Sequence, residues 1–319
     1  MIKHRKFRLK AGVVCAALLL GGIGAAQAGD YSKLYFFGDS ITDSGVFAGQ
    51  RFTTKPGTVW AENLGARYGK PVRPVFSANL ANPAELVFSL DASGNNFAVG
   101  AAQINSPPAG KPAATALPSV KMQVDAFLLR GAVDAHALYA LWAGGNDIFA
   151  QFSSGAAGPW TSAQANLVTA ANDLTAQVDR LQAAGARQMI VIGAMNMTQS
   201  PSGLAMSASD SAQLGSLMAA FNAQLIANLA GKNLLYFDML KLNEQIIADP
   251  LAYGFTDTTT PACPGSPPNA LSCKLPAAGH LYADDRHPST LYHKVISDRI
   301  YSSLEASRAA LLSQVPTGR

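Results

Sequence analysis

Three short polar clusters in this chain of 319 residues carry side-chain types that covalent catalysis uses. They are Gly38-Asp39-Ser40, Gly144-Gly145-Asn146-Asp147 and Asp284-Asp285-Arg286-His287-Pro288. A serine hydroxyl becomes a good nucleophile only when a base removes its proton, and the base needs a carboxylate to orient it. The clusters therefore predict acyl chemistry, provided that the fold brings them together.

Ser40, His287 and Asp284 are the candidates for nucleophile, base and orienting carboxylate. Asp284 precedes His287 by three residues on one loop, a spacing that lets a carboxylate hold the imidazole in one tautomer. The tetrahedral intermediate of acyl transfer also needs hydrogen-bond donors around its oxyanion. The Ser40 N–H, a glycine N–H and the Asn146 side-chain amide would supply three.

Each cluster alone has an ordinary structural explanation. A serine after a strand commonly caps a helix, and an asparagine after two glycines commonly forms a turn. The occurrence of all three clusters in order along one chain is what favours catalysis. No Gly-x-Ser-x-Gly sequence surrounds Ser40, because Thr42 stands where the second glycine would be. This excludes an α/β-hydrolase of the lipase type with a nucleophile elbow.

Alternating strands and helices predict how these clusters are positioned. Continuous apolar runs predict buried strands at residues 33–38, 137–142, 189–193 and 234–238. Helical spacing predicts helices at 59–68, 120–130, 162–184, 209–230 and 288–312, with the remainder of 50–115 irregular. This alternation predicts a three-layer α/β/α sandwich with a mainly parallel central sheet. Sites in such sheets form beyond the carboxyl ends of the strands, where Ser40, at a turn from strand to helix, and Asn146 would lie.

The first 28 residues have the pattern of a cleavable signal peptide. Residues 2–10 are basic, an apolar stretch of about 16 residues follows, and Ala26-Gln27-Ala28 is a small-x-small cleavage site. A transmembrane anchor is the alternative, but the stretch is short for a span. We expect residues 29–319 to form a single domain of a secreted or periplasmic protein.

The formal net charge of +4 comes from that leader. Residues 1–28 hold five of the 24 Lys and Arg residues and none of the 20 Asp and Glu residues, which leaves −1 on the remainder. The mature chain therefore lacks the basic character that a nucleic-acid partner would require.

Cys263 and Cys273 lie in a loop rich in proline, glycine and asparagine. In an exported chain such a pair predicts a disulfide, worth about 3 kcal/mol in the chain-entropy model. The alternative is a metal site with His280 and His287. Their spacing matches no usual zinc pattern, so the disulfide is favoured.

Four ordered blocks within residues 34–293 resemble the SGNH, or GDSL-type, esterase/lipase family. The first and second blocks are Phe37-Gly38-Asp39-Ser40-Ile41-Thr42-Asp43-Ser44-Gly45 and Asn96-Phe97-Ala98-Val99-Gly100-Ala101. The other two are the clusters that contain Asn146 and His287. Gly57-Thr58-Val59-Trp60 and the following Leu64 resemble the lecithinase/haemolysin and autotransporter-esterase branch.

The resemblance implies a fold, roles for particular residues, and no metal or organic cofactor. Ser40 would be the nucleophile, His287 the base and Asp284, rather than Asp285, the orienting carboxylate. Gly100 and Asn146 would join the Ser40 N–H in the oxyanion hole. Autotransporter members continue into a C-terminal membrane domain, whereas this chain ends at Arg319, so we expect a released protein.

Together these observations predict an exported carboxylic ester hydrolase acting on small-molecule or lipid esters. Three alternatives use the same fold: a lipid acyltransferase, a carbohydrate O-deacetylase, and an inactive binding or adhesion module. Asp39 and Asp43 flank Ser40 and either hold a metal or cap the turn; capping is favoured. Aromatic residues after the blocks either form an acyl-binding surface, with transient contact to lipid, or pack the loops; they are Phe47, Phe52, Trp60, Phe149, Phe152 and Trp160.

Overall fold

A computed structural model describes residues 31–79, 86–105, 117–155, 160–263 and 278–313. The predicted signal peptide and Cys273 lie outside these ranges, so the structure does not address cleavage or the cysteine pairing. The described elements, in chain order, are β1 (Leu34–Gly38), α1 (Trp60–Arg67), β2 (Phe76–Asn79), β3 (Val87–Leu90), α2 (Val120–Leu128), β4 (Leu138–Trp142), α3 (Gly145–Gly155), α4 (Trp160–Ala184), β5 (Gln188–Ile192), α5 (Pro201–Leu204), α6 (Ala208–Leu229), β6 (Leu235–Phe237), α7 (Met239–Ala248), β7 (Asp257–Pro261), β8 (His280–Tyr282) and α8 (Thr290–Ser313).

The central sheet has the strand order β1-β4-β5-β6, and every neighbouring pair is parallel. These are the four strands predicted from apolar runs, each placed within one residue of its predicted ends. The five predicted helices are α1, α2, α4, α6 and α8, placed within two residues. The predicted α/β fold with a mainly parallel sheet is therefore confirmed.

Two consecutive phenylalanines of β1 show that helices cover both faces of the sheet. Successive strand residues point to opposite faces. Phe36 packs edge-to-face on Trp60 of α1, whereas Phe37 packs on Phe127 of α2. On the α2 side, α4 packs against α6, and on the α1 side, α1 packs against α8. The sheet is therefore the middle layer of three.

The segment around Asn96 extends the sheet beyond the edge strand β1. Phe36 N–H donates to the Asn95 carbonyl (3.1 Å), and Phe97 N–H donates to the Phe36 carbonyl (2.8 Å). Val99 N–H then donates to the Gly38 carbonyl (3.2 Å). This pairing places the second sequence block beside the strand that leads to Ser40.

The structure corrects two expectations about local structure. Within residues 50–115, expected to be irregular outside one helix, β2 and β3 form an antiparallel hairpin. Each strand has only four residues and neither is a long apolar run, so the sequence gives no periodicity signal. After Ser40 the chain makes a single turn, in which Thr42 and Asp43 N–H groups donate to the Asp39 carbonyl, and the next helix begins only at Trp60.

No helix within the described ranges is long and apolar enough to cross a membrane.

Candidate active site

The candidate site lies where the carboxyl ends of the central strands meet. Gly38, Trp142, Ile192 and Phe237 are aligned in register across the four strands. Residues that follow these ends surround a concavity, called here the Ser40 pocket. It is lined by Asp39, Ser40, Ile41, Trp142, Gly145, Asn146, Phe149, Ala194, Met195, Met197, Arg286 and His287.

Ser40, His287 and Asp284 form a continuous chain of hydrogen bonds. The Ser40 Oγ lies 3.0 Å from His287 Nε2, and His287 Nδ1 lies 2.7 Å from Asp284 Oδ2. Both ring nitrogens are thereby occupied, which leaves none for Asp285. Its backbone carbonyl instead accepts the Ser202 N–H (2.9 Å). The structure thus places Asp284, and not its neighbour, behind the imidazole.

The Asp284 carboxylate is fully buried yet held in its ionised form. Burial alone would raise its pKa, but the hydrogen bond and positive potential of the His287 ring lower the pKa below its usual value. Two backbone N–H groups add to this effect, because Asp284 Oδ1 accepts from Arg286 (2.9 Å) and His287 (2.7 Å). A buried carboxylate fixed in this way can orient the ring and balance charge on it.

Asn146 lies in the first turn of α3, so the second polar cluster begins a helix rather than forming a simple turn. One N–H of its side-chain amide donates to the Ala102 carbonyl (3.0 Å), and the residue also lines the Ser40 pocket. Within the described residues the amide nitrogen makes no second hydrogen bond. Next to it, Asp147 accepts the Ile104 N–H, and burial raises the Asp147 pKa to about 7.

Gly100 does not offer its N–H to the pocket, contrary to the expectation from sequence. That N–H donates to Asp43 Oδ2 (2.9 Å). The other oxygen of Asp43 accepts the N–H groups of Gly45 (2.8 Å) and Val46 (2.9 Å). Burial raises the Asp43 pKa to about 6, while these three N–H donors lower it, so the group is mostly ionised at neutral pH. Asp43 therefore stabilises the turn, as the capping interpretation proposed.

The next backbone amide, that of Ala101, differs from that of Gly100. Ala101 adopts a left-handed conformation with φ +61°, which is uncommon for a residue with a Cβ, and it is exposed. Its N–H makes no hydrogen bond within the described residues. The carbonyl of the following residue, Ala102, accepts the hydrogen bond from Asn146.

Gln123 is a site residue that sequence reasoning missed. This fully buried side chain of α2 accepts the Gly38 N–H at Oε1 (2.8 Å) and donates from Nε2 to the Gly38 carbonyl (2.8 Å). It also donates to the Pro118 carbonyl (3.0 Å). Gly38 is the last residue of β1, two residues before Ser40. The available signal was a glutamine on the apolar face of α2, between Val120, Val124 and Phe127.

The predicted aromatic residues have different positions. Phe149 lines the Ser40 pocket, and the Phe52 ring centroid lies 5.2 Å from that of His287. A side chain at Gly100 would overlap the Phe52 ring, so the glycine is required there for packing. Trp60 is buried in the core, between Phe36 and Trp142, and does not line the pocket.

The proposed metal ligands do not come together. His280 contacts the Thr260 carbonyl (3.2 Å) and Asp257 (3.7 Å), whereas the ring of His287 is occupied by Ser40 and Asp284. No group of three or more His, Cys, Asp or Glu side chains suited to a metal occurs among the described residues. Cys263 is buried, and its pairing with Cys273 stays a prediction.

The chain has a parallel sheet covered by helices on both faces, and a Ser-His-Asp chain of hydrogen bonds lies at the carboxyl edge of this sheet. These features define a class of α/β proteins with a serine-hydrolase type of site. Within that class the chain belongs to the GDSL-like lipase/acylhydrolase family, whose sequence model matches residues 34–300.

Several known proteins are similar to this chain. Esterase EstA of Pseudomonas aeruginosa is 29% identical over 353 residues, covering 92% of this chain and 50% of that protein. An uncharacterized protein in the trpE-trpG intergenic region of Pseudomonas putida is 28% identical, covering 86% of this chain and 49% of that protein. The chain spans about half the length of these curated relatives. The solved structure of the acetylxylan esterase Axe2 from Geobacillus stearothermophilus aligns with a TM-score of 0.44 at 12% identity, covering 87% of this chain and 96% of that one.

Proposed function

We propose that the chain is an exported carboxylic ester hydrolase that forms an acyl-enzyme on Ser40. The observation that carries this proposal is the unbroken series of hydrogen bonds from Ser40 Oγ through His287 to Asp284, with distances of 3.0 and 2.7 Å. The family supports ester substrates. Export rests on the sequence pattern at residues 1–28, and a single domain over residues 29–319 rests on the sequence showing no internal repeat and no linker between two cores.

In the first half of the reaction, Ser40 Oγ attacks the ester carbonyl carbon while His287 Nε2 removes the hydroxyl proton. The buried Asp284 carboxylate stabilises the imidazolium that forms. His287 then gives this proton to the leaving alcohol as the carbon–oxygen bond breaks, and the acyl group remains on Ser40.

In the second half, a water molecule takes the place of the alcohol. His287 removes a proton from the water as its oxygen attacks the acyl carbonyl, and then returns a proton to Ser40 Oγ. The acid is released and the enzyme returns to its starting state. This sequence requires no metal or organic cofactor to balance atoms or charge.

Three donors would stabilise the oxyanion in both halves. They are the Ser40 N–H, the second amide hydrogen of Asn146, and the Ala101 N–H. Ala101 replaces Gly100 in this assignment because the Gly100 N–H is bonded to Asp43. A donor of this kind is typically worth about 10²–10³ in kcat.

The test is hydrolysis of p-nitrophenyl esters from acetate to palmitate by the mature protein and two variants. Ser40→Ala should lose roughly 10⁶-fold in kcat, since covalent catalysis is removed. Ser44→Ala is the matched control, because this serine lies four residues further along the same loop, is buried, and its hydroxyl has no hydrogen-bond partner among the described residues. It should keep its activity.

The same experiment separates the alternatives. A maximum at acetate would favour a deacetylase, and ester formation when glycerol is added would favour an acyltransferase. Retention of more than a few per cent of activity in folded Ser40→Ala would refute the nucleophile assignment. No hydrolysis together with no labelling of Ser40 by a phosphonate would favour the binding-module alternative.

A further inference from the structure

Arg286 occupies a position in the site that the proposed reaction does not use. It lies between Asp284 and His287, and its backbone N–H donates to Asp284 Oδ1 (2.9 Å). Its side chain is exposed and lines the Ser40 pocket together with Ser40 and His287. The backbone of this arginine is therefore fixed by the same carboxylate that orients the catalytic histidine.

The Arg286 guanidinium is oriented by an aromatic ring and not by an acid. Its Cζ lies 4.7 Å from the centroid of Phe149, which also lines the pocket. Within the described residues no carboxylate lies within 4.0 Å of it, and no hydrogen bond to its side chain is formed. Other arginines of the chain do have carboxylate partners; these are Arg51 with Glu62, Arg67 with Asp298, Arg180 with Asp125 and Arg308 with Glu305.

The charges around the pocket favour a negatively charged substrate. The carboxylate that lines it is Asp39, a buried group that accepts the Ile41 N–H, and burial raises its pKa to about 7. Asp284 is buried behind the imidazole, and Asp285 does not line the pocket. The exposed charge on the pocket wall is thus the guanidinium.

We propose that Arg286 is a substrate-recognition residue, and that the preferred substrates are esters whose alcohol portion carries a carboxylate or a phosphate. A guanidinium binds either anion through paired N–H donors. The anion is assigned to the alcohol portion because His287, the next residue, protonates the leaving oxygen. This inference rests on the proposed ester hydrolysis.

The test compares matched pairs of acetate esters that differ in the charge of the alcohol. The first pair is 3-acetoxybenzoate and its methyl ester, and the second is 3-acetoxyphenyl phosphate and its dimethyl ester. Acetate release gives the ratio of kcat/KM for the anionic ester to that for the neutral one. Arg286→Gln should lower this ratio by about tenfold to a hundredfold, as expected for loss of a charge-assisted hydrogen bond. The pair with the larger wild-type ratio identifies the anion.

Arg299→Gln is the matched control. Arg299 is also exposed and lies over an aromatic ring, 5.1 Å from the centroid of Tyr253, but it does not line the pocket. Its ratio should equal that of the wild type. Arg286→Lys keeps the charge but loses the planar donor pair, so it should fall between the wild type and Arg286→Gln.

A binding measurement makes the inference independent of turnover. Ser40→Ala should bind benzoate or phenyl phosphate, measured by titration calorimetry, and the double variant with Arg286→Gln should bind about tenfold more weakly or worse. An equal ratio in wild type and Arg286→Gln, or equal binding in the two titrations, would overturn the role of Arg286. If the wild-type protein hydrolyses none of the esters, while Ser40→Ala binds the anions and the double variant binds them more weakly, the result would instead count against the proposed hydrolase function.

Discussion

At the scale of single residues, the proposed oxyanion hole depends on the position of one backbone amide. The sequence block Asn96-Phe97-Ala98-Val99-Gly100-Ala101 pointed to the N–H of Gly100, whereas in the structure this N–H donates to Asp43. Residue type alone cannot show that Asp43 takes the Gly100 N–H, because the two lie 57 positions apart in the chain. Ala101, the donor proposed in its place, has a backbone conformation that is unfavourable for alanine.

We predict that Ala101→Gly stabilises the protein. At φ +61° the Cβ costs roughly 1–2 kcal/mol, which exceeds the roughly 0.4–1 kcal/mol by which the flexibility of glycine favours the unfolded chain. The free energy of unfolding, measured in urea, should rise by up to about 1 kcal/mol. Ala102→Gly is the control, since Ala102 is buried and its φ is not positive, and it should destabilise. If both variants lose stability, the result contradicts the proposal that the left-handed backbone conformation of Ala101 is strained.

At the scale of elements, the long helices and the buried strands were predictable, whereas the connections that finish the site were not. The apolar stripe of α4 is visible in the sequence as helical periodicity, and Leu138–Trp142 is visible as a continuous apolar run. Gly145 as the start of α3 and the β2–β3 hairpin depend on tertiary contacts, so short sequence windows do not show them. The contact between Asp284 and His287 was predictable, because the two residues lie three positions apart on one loop.

The link between α2 and β1 gives a prediction for Gln123→Leu. Losing three hydrogen bonds leaves the Gly38 N–H without its partner and lets the end of β1, which leads to Ser40, shift. Because misplacement of a nucleophile impairs the transition state more than substrate binding, kcat should fall about tenfold or more, with KM nearly unchanged.

Gln177→Leu is a suitable comparison for that experiment. Gln177 is similarly buried, and its amide donates to a backbone carbonyl within α4, far along the chain from Ser40. The two variants should lose similar stability but differ in kcat. Equal effects on kcat would mean that Gln123 serves general packing and does not position the nucleophile.

At the scale of the whole molecule, the first and last helices, which pack together on one side of the sheet, are joined by a histidine that no catalytic motif includes. His293 of α8 is fully buried, and its Nδ1 accepts the N–H of Trp60, the first residue of α1 (3.2 Å). Burial, with a smaller contribution from His287, lowers the pKa of His293 to about 3. The folded state therefore requires the neutral ring.

This requirement makes stability depend on pH. The folded pKa of about 3 lies below the usual 6.5, so this contribution is complete above pH 6.5 and is lost progressively as the pH falls towards 3. His293→Gln removes the titrating group but keeps an acceptor for Trp60. Between pH 6 and 4 the stability difference between wild type and variant should change by about 1.4 kcal/mol per pH unit, measured by urea unfolding.

If the free energies of unfolding of the wild type and His293→Gln change with pH in parallel, the low pKa of His293 in the folded state is contradicted. Asp39 and Asp147, with pKa values raised to about 7 by burial, act in the opposite direction, since the folded state favours their protonated forms. They are common to both proteins, so their contributions cancel in the difference.

The two groups that exchange the catalytic proton are separated by 247 positions in the chain, although their atoms lie 3.0 Å apart. A ribosome makes the nucleophile early and the base near the end of synthesis. A partly made chain that contains β1 and Ser40 but not yet His287 has no base to activate the serine. On the proposed mechanism, ester cleavage therefore requires the chain to be made as far as His287 and α8 to be packed against α1.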